Sequence, residues 1–154
     1  MSQRKKIILI VASWFYLGYA PVASGTFGTL GALPLAWLIS GRSIATSVTL
    51  VFAFILLAIT IANEAESILG SKDPGVIVID EVAGLLVTFL GIPWSITHAL
   101  AGFMLFRLFD ILKPFPIRII EDRIKGGGGV VLDDVTAGIY ANAALRLLMF
   151  CMGK

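Results

Sequence analysis

A stretch of 25 residues without Asp, Glu, Lys or Arg decides how this chain is folded: Val82–Phe106, which reads VAGLLVTFLGIPWSITHALAGFMLF. It is long enough to cross a membrane once, since a spanning helix needs about 20 apolar residues. Its middle, however, contains Gly91-Ile-Pro-Trp-Ser95, which is typical of a turn followed by a helix cap. We therefore predict two short helices, about Val76–Leu90 and Ser95–Leu112, packed as a hairpin.

The choice between a hairpin and a single span matters because charged residues flank this stretch on both sides. Asp80 and Glu81 precede it, and Arg107 and Asp110 follow it. A hairpin brings the two pairs to the same side of a membrane, whereas a single span would separate them. Only the hairpin allows these residues to form one site.

The composition of the whole chain points to a membrane protein. Of 154 residues, 58% are hydrophobic and 14% are charged, against about 45–50% and about 25% in soluble domains. These values exclude a disordered tail, a nucleic-acid-binding module and an ordinary cytosolic enzyme. The net charge of +2 is too small to imply a polyanion partner. The single cysteine excludes an internal disulfide and a thiolate metal site.

The rest of the chain predicts further helices within a single domain, residues 1–154. Pro21 and Gly25 interrupt an uncharged run of 35 residues that begins at Ile7. The continuing apolar sequence after residue 25 argues against a cleaved signal peptide. The predicted elements are a short interfacial helix Ile7–Tyr19, a helix capped by Ser24 or Thr26 that ends at Ser40, a returning helix Ser43–Ala62, a turn Asp73–Gly75, an amphipathic helix Ile117–Lys125, and a last helix from Val135 to about Met152. We expect an all-α, integral membrane bundle of about five to six helices, some short or re-entrant.

The charges segregate strongly along this predicted bundle. With the hairpin in place, nine of the twelve basic residues and all ten acids fall on one side. The basic residues are Arg4, Lys5, Lys6, Lys72, Arg107, Lys113, Arg118, Arg123 and Lys125. The positive-inside rule then places the N-terminus and this charged side in the cytoplasm.

Two charged motifs stand inside apolar sequence. Asp80 and Glu81 follow Ile77-Val-Ile, and paired carboxylates near hydrocarbon usually indicate function, although a helix N-terminus also favours acids. Arg107, Asp110 and Lys113 lie at spacings of three residues along one predicted helix stripe. Such a stripe can consist of solvated ion pairs, but Arg together with Lys also suits a phosphate group.

A third motif combines glycines with acids. Gly126–Gly129 precedes Asp133 and Asp134, and a glycine loop exposes backbone N–H groups to an oxyanion. The alternative is a flexible linker followed by a helix cap. Asp134, Gly138 and Asn142 follow at i, i+4 and i+8, on one helix face.

The acids of the three motifs predict a metal site of one chemical type. They are Asp80, Glu81, Asp110, Asp133 and Asp134. No Cys or His cluster accompanies them, and oxygen ligands alone select Mg²⁺ or a similar hard cation. Carboxylates for Mg²⁺ and basic residues for phosphate, all at one membrane surface, imply phosphate chemistry on a lipid.

The motifs also resemble a known family. The strings Gly25–Leu30, Ile77–Gly84, Phe106–Ile117 and Gly126–Gly138 resemble the phosphatidylglycerophosphatase A family, in the family's order. The resemblance implies a Mg²⁺-dependent phosphatase of the bacterial inner membrane, multi-pass, with its site facing the cytoplasm. The implied substrate is phosphatidylglycerophosphate and the implied product phosphatidylglycerol. The implied fold is an all-α bundle with one helix surrounded by others.

The residues expected to form the site come from these strings. Catalytic roles are predicted for Asp80, Asp110, Asp134, Arg107 and Lys113. Phosphate contacts are predicted for Arg107, Lys113, Thr26, Gly127 and Gly129. Metal ligands are predicted to be Asp80, Glu81, Asp110, Asp133 and Asp134.

Two other functions are open to such a chain. A small transporter or channel subunit would use buried acids to relay cations, but a relay needs acids at several depths. A lipid phosphotransferase acting on a CDP-activated lipid would also use Mg²⁺, but its Asp-Gly-x-x-Ala-Arg pattern does not occur in this chain.

Overall fold

The computed structural model describes residues 2–153, without the side chains of residues 121 and 122, and this part of the chain is helical with no β-strand. The elements are α1 (Gln3–Ala12), a short 3-10 helix (Leu17–Tyr19), α2 (Ser24–Ser40), α3 (Ile44–Leu69), α4 (Ile79–Thr88), α5 (Ile96–Leu112), α6 (Ile117–Arg123) and α7 (Gly127–Cys151). The all-α prediction is confirmed. The described residues form seven α-helices, where about five to six were expected, and the predicted short helices are present as α1 and α6.

Helix α4 is the centre of the bundle. Nine of its ten residues are buried, and it contacts α2, α3, α5 and α7. A helix that is apolar on every face needs neighbours on every face. The expected arrangement of one helix surrounded by others is therefore confirmed.

Helices α4 and α5 form the predicted hairpin. Helix α4 ends at Thr88, and Gly91 adopts a positive φ of 65° in the connection. The Ser95 hydroxyl accepts a hydrogen bond from the His98 backbone N–H and begins α5. The start of α4 and the end of α5 consequently share one end of the bundle, the site end. Residues 89–95 lie at the opposite end, the turn end.

Helices α4 and α7 cross at two glycines. A Cβ atom on Gly138 would overlap the carbonyl oxygen of Gly84, and a Cβ on Gly84 would overlap the Phe106 ring and the Asp134 carbonyl oxygen. Two helix backbones can approach this closely only where side chains are absent. The crossing fixes how α7 lies against the central helix.

The glycine run does not form the predicted loop. Residues 127–129 are the first turn of α7, which begins eight residues before the expected start at Val135. The Gly127 N–H donates to the Asn63 side-chain oxygen over 2.8 Å, and a Cβ on Gly127 would overlap the backbone of α3. The glycines let α7 start against α3, a contact that cannot be inferred from local sequence.

Several other helix boundaries differ from prediction. Helix α1 ends at Ala12, before three consecutive residues, 14–16, that have positive φ angles. Helix α3 continues through the polar residues 63–69 to Leu69. Helix α4 begins at Ile79 instead of Val76. Ser24 is the first residue of α2 rather than its cap, because its hydroxyl donates instead to the Gly75 carbonyl oxygen over 2.7 Å.

Much of the molecular surface is apolar. Trp37, Phe52, Met104 and Ile111 each expose more than half of their surface. Among the described residues, α3 is the one helix long and apolar enough to cross a membrane, and 17% of its most apolar window is buried inside the protein. Since so little of α3 is covered by neighbouring helices, it differs from the core helix of a soluble protein.

Candidate active site

A small acidic cavity of about 160 Å³ lies at the site end of the bundle. The first residue of α2, the segment before α4, the starts of α4 and α7 and the end of α5 all contribute to its wall. Its lining residues are Ser24, Asp73, Gly75, Ile77, Asp80, Glu81, Asp110, Lys113, Val130, Asp133 and Asp134. The hairpin and α7 together bring all five acids predicted as metal ligands to one place.

Three of these acids converge. Asp80, Glu81 and Asp134 each offer a carboxylate oxygen within 4.8 Å of the others. The first two lie in the first turn of α4, and Asp134 lies one helical turn before Gly138 on α7. The close crossing of α4 and α7 is what places Asp134 against the start of α4.

Each of the three convergent carboxylates has one buried oxygen without a hydrogen-bond partner in the described part of the chain. Asp80 Oδ1, Glu81 Oε2 and Asp134 Oδ2 find no hydrogen-bond partner among the described residues. Asp80 and Glu81 lie in the first turn of α4, a helix of ten residues that is too short to span a membrane. Burial raises the pKa of the Asp80 carboxyl well above its usual range, and the Glu81 carboxyl beside it raises that pKa further. Burial likewise raises the pKa of Glu81 to about 8.

Such a cluster can hold a metal ion. Unpaired buried carboxylates are costly unless a cation lies between them. The donor set contains oxygen alone, which fits a hard divalent cation better than zinc or copper.

Arg107 and Asp110 lie beside this triad on α5. Arg107 Nη1 donates a hydrogen bond to Asp110 Oδ2 and lies 3.9 Å from Glu81 Oε1. These side chains are 13–16% exposed, so the charges are poorly solvated. Arg107 Nε is buried and has no hydrogen-bond partner in the described residues. The guanidinium therefore links α5 to the triad and retains an unused donor.

Lys113 and Asp133 form a second ion pair at the cavity. Lys113 Nζ donates to Asp133 Oδ2 over 2.7 Å, and the other oxygen of Asp133 accepts from the Asp134 backbone N–H over 3.0 Å. Lys113 follows the last turn of α5 with a positive φ of 43°, which turns the chain and places its side chain in the cavity wall. Asp133 lies beside the triad but is not one of its three convergent residues.

The predicted phosphate-binding residues outside the charged motifs do not line the cavity. Gly127 and Gly129 are buried in the first turn of α7, so the predicted oxyanion loop is wrong. Thr26 also lies outside the cavity wall. Its neighbour Gly25 is the residue of α2 in contact with the charges, because a Cβ there would overlap the Glu81 carboxylate.

Two residues of the cavity were missed from the sequence. Asp73 has a positive φ of 45°, and its backbone N–H donates to Glu66 Oε1 over 2.7 Å. Ser24 holds the same segment through Gly75. The sequence of Asp73-Pro74-Gly75 predicts only a turn. The signal for a site residue is an acid within a turn that lies shortly before the acid pair Asp80-Glu81.

Known proteins resemble this chain over most of its length. Residues 10–149 match the family model of phosphatidylglycerophosphatase A. Phosphatidylglycerophosphatase A of Escherichia coli is 31% identical over 90% of this chain and 81% of its own length. The protein of the same name from Haemophilus influenzae is 34% identical over 94% of this chain and 90% of its own length.

A further relative carries a different name. A Bacteroides thetaiotaomicron protein, provisionally named a phosphatidylinositol-3-phosphatase, is 35% identical over 99% of this chain and all of its own length. No solved structure gives a significant match to the chain. The family match over most of the chain and the two relatives of the same name show that this chain belongs to the phosphatidylglycerophosphatase A family.

Proposed function

We propose that this protein hydrolyses phosphatidylglycerophosphate to phosphatidylglycerol and phosphate, with Mg²⁺ held by the acidic cavity. The observation that carries the proposal is the convergence of Asp80, Glu81 and Asp134, each with one buried oxygen that has no hydrogen-bond partner among the described residues. Lys113 lies in the wall of the same cavity, and Arg107 lies beside the triad. The family and the names of its relatives support the lipid phosphate substrate.

Different residues of the site have different roles in the hydrolysis of a phosphate monoester. Water adds to phosphorus, the bond from phosphorus to the glycerol oxygen breaks, and the leaving oxygen takes up a proton. Asp80, Glu81 and Asp134 would hold Mg²⁺, which supplies positive charge next to the phosphoryl oxygens. Arg107 and Lys113 bind and orient those oxygens, and Asp110 and Asp133 hold the two cations in place.

The protein is proposed to lie in the bacterial inner membrane as a multi-pass protein with the site end at the cytoplasmic face. The apolar exposed surface and the long helix α3 support the membrane setting. The predicted hairpin places nine of the twelve basic residues of the chain on this side, which supports the orientation. Helices α4 and α5 then form a hairpin that enters from the cytoplasmic side and turns at residues 89–95.

The competing function, a cation relay, is not favoured by the distribution of acids. A relay requires acids or polar groups at successive depths. The described acidic side chains lie between Glu64 and Asp134 and belong to the site end of the bundle, whereas the turn end near Gly91 has arginines and no acid.

A phosphate-release assay tests the proposal. The protein is purified in detergent and incubated with phosphatidylglycerophosphate, and with phosphatidylinositol 3-phosphate as the competing substrate class. We expect phosphate release from phosphatidylglycerophosphate with Mg²⁺, loss of release in EDTA, and recovery when Mg²⁺ is restored. Full activity after exhaustive chelation would contradict the metal assignment. A preference for the phosphoinositide would contradict the substrate assignment.

A further inference from the structure

At the turn end of the bundle, the side chain of Asn142 on α7 caps the end of α4 and the turn that follows it. Asn142 Nδ2 lies 2.8 Å from the Thr88 carbonyl oxygen, 3.0 Å from that of Leu90 and 3.4 Å from that of Val87. The last carbonyl groups of a helix have no partner within the helix. In apolar surroundings such groups are costly to leave unsatisfied.

Arg146 completes this contact and orients the amide. Its Nε donates to Asn142 Oδ1 over 2.8 Å, and its Nη2 donates to the Leu90 carbonyl oxygen over 2.8 Å. Because Oδ1 of Asn142 accepts from Arg146, the NH₂ group of the amide faces α4. The two side chains act together as one connection, the Asn142–Arg146 clamp.

The clamp joins the same two helices that carry the acid triad. Asp134, Gly138 and Asn142 follow one another at four-residue intervals along one face of α7. Asp134 faces the start of α4, Gly138 contacts Gly84 in its middle, and Asn142 caps its end. At 1.5 Å per residue, the eight residues from Asp134 to Asn142 span about 12 Å.

Three contacts along this length fix the position of α4 along α7 and its rotation against α7. The glycine contact alone would permit a small shift of one helix along the other. A shift of 1 Å at the clamp would move Asp80 and Glu81 relative to Asp134 by about the same distance, since a helix is stiff over two to three turns. Displacements of this size are enough to impair a site whose ligands must converge.

We propose that Asn142 and Arg146 are positioning residues that set the register of α4 against α7, and thereby hold the three carboxylates in the geometry that binds the cation. The proposal rests on the proposed function for the meaning of the acid triad. It assigns a role in the site to a pair of side chains at the opposite end of the bundle, neither of which lines the acidic cavity.

The test measures cation binding directly, without turnover. Mn²⁺ serves as the probe, and the free Mn²⁺ signal in electron paramagnetic resonance reports its dissociation constant in detergent. The variants are Asn142→Leu, which removes the amide, and Arg146→Met, which leaves the amide in place without its partner. Arg146→Lys is the conservative variant, because an ammonium group can still donate to the Leu90 carbonyl oxygen.

The matched control is Ser47→Ala. The Ser47 hydroxyl is buried and donates to the Ile39 carbonyl oxygen over 2.9 Å, which joins α3 to α2. Ile44, at the start of the same helix, lies beside Gly91, so this hydrogen bond is also at the turn end. The control removes a buried inter-helix hydrogen bond of similar length without touching the α4–α7 pair.

We expect Asn142→Leu and Arg146→Met to raise the Mn²⁺ dissociation constant by about tenfold or more. Arg146→Lys should recover most of that affinity. Ser47→Ala should lower the melting temperature of the metal-free protein and leave the Mn²⁺ affinity within about twofold of the parent. Arg146→Met provides the milder variant if Asn142→Leu does not fold.

Two results would overturn the positioning role. One is a clamp variant that melts earlier, as Ser47→Ala does, but binds Mn²⁺ as tightly as the parent. The other is a parent protein that binds no Mn²⁺. If the parent binds Mn²⁺ and the clamp variants do not, but no lipid phosphate is hydrolysed, then the proposed function fails and the positioning role stands.

Discussion

Asp133 and Asp134 are adjacent in the chain and have different surroundings. Asp134 has one oxygen without a hydrogen-bond partner in the part of the chain that the structure describes, and it offers a carboxylate oxygen within 4.8 Å of those of Asp80 and Glu81. Both oxygens of Asp133 accept hydrogen bonds, one from Lys113 and one from a backbone N–H. We infer that Asp134 binds the cation directly and that Asp133 holds Lys113. The sequence predicts both acids as metal ligands, and these contacts favour Asp134 as the ligand and Asp133 as the partner of Lys113, which is proposed to bind phosphate.

Exchanging each of these acids for its amide should separate the two roles. In Asp134→Asn, we expect kcat to fall by at least about 100-fold and the Mg²⁺ requirement to rise, because one of three convergent charges is lost. In Asp133→Asn, we expect KM for the lipid to rise by about tenfold with the Mg²⁺ requirement unchanged, because a charge-assisted hydrogen bond to Lys113 is weakened. Both are measured by phosphate release at varied lipid and Mg²⁺ concentrations.

Glu64→Gln is the control for these variants. Glu64 forms an exposed ion pair with Arg4 and does not line the acidic cavity. Exposed ion pairs contribute little to stability, so activity should stay close to that of the parent. Identical Mg²⁺ dependence in Asp133→Asn and Asp134→Asn would contradict the division of roles.

Among the helices, the contact between α4 and α7 determines whether the site exists. The backbone atoms of Gly84 and Gly138 are in contact, and no side chain larger than hydrogen fits at Gly138. Both ends of this pair carry further connections, the acid triad at one end and the Asn142–Arg146 clamp at the other. The pair is therefore expected to behave as one rigid unit.

Gly138→Ala should disrupt this unit. The added methyl group would overlap the Gly84 carbonyl oxygen, which is backbone and cannot rotate away. We expect a loss of about 1–3 kcal/mol in the free energy of unfolding, as for other overpacked sites, together with weaker Mn²⁺ binding. Denaturant unfolding in detergent and Mn²⁺ titration measure the two effects.

Gly128→Ala is the matched control within the same helix. Its added Cβ would meet only the Ile124 side chain, at 3.5 Å, which is ordinary van der Waals contact. Alanine has a higher helix propensity than glycine, by up to about 1 kcal/mol. Gly128→Ala should therefore be neutral or slightly stabilising, and a loss as large as that of Gly138→Ala would contradict the steric explanation.

The predictability of these elements depended on whether the deciding contact was local. The hairpin was predictable because Gly91, Pro93 and Ser95 are turn and cap residues within an apolar run, and each acts on its own neighbours. The start of α7 was not predictable from local sequence, because the backbone N–H of Gly127 donates to the side chain of Asn63, 64 residues away. Asp73 was missed for the same reason, since its place in the cavity depends on Glu66 and Ser24 holding its segment.

At the scale of the whole molecule, the charges and the apolar surface imply an orientation in the membrane. The site end carries the acid triad, the Arg107–Asp110 and Lys113–Asp133 ion pairs and the Arg4–Glu64 pair. Arg42 and Arg146 lie towards the turn end. A positive-inside arrangement supports the proposal that the site end faces the cytoplasm. Helix α4 is about 15 Å long at 1.5 Å per residue, so the hairpin is short compared with a hydrocarbon core of about 30 Å.

Single cysteines can report this orientation. In a Cys151→Ser background, Lys125→Cys places a thiol at the exposed start of the segment before α7, and Thr97→Cys places one in the exposed first turn of α5. Intact cells are treated with a membrane-impermeant thiol reagent, before and after the inner membrane is opened. We expect Lys125→Cys to react only after opening, because the site end is proposed to face the cytoplasm. Thr97→Cys should react in intact cells if the turn end reaches the far surface, and it should stay protected if the hairpin is re-entrant and shallow. Reaction of Lys125→Cys in intact cells would place the acidic cavity on the outer face, and the cytoplasmic orientation would have to be abandoned while the site itself remained intact.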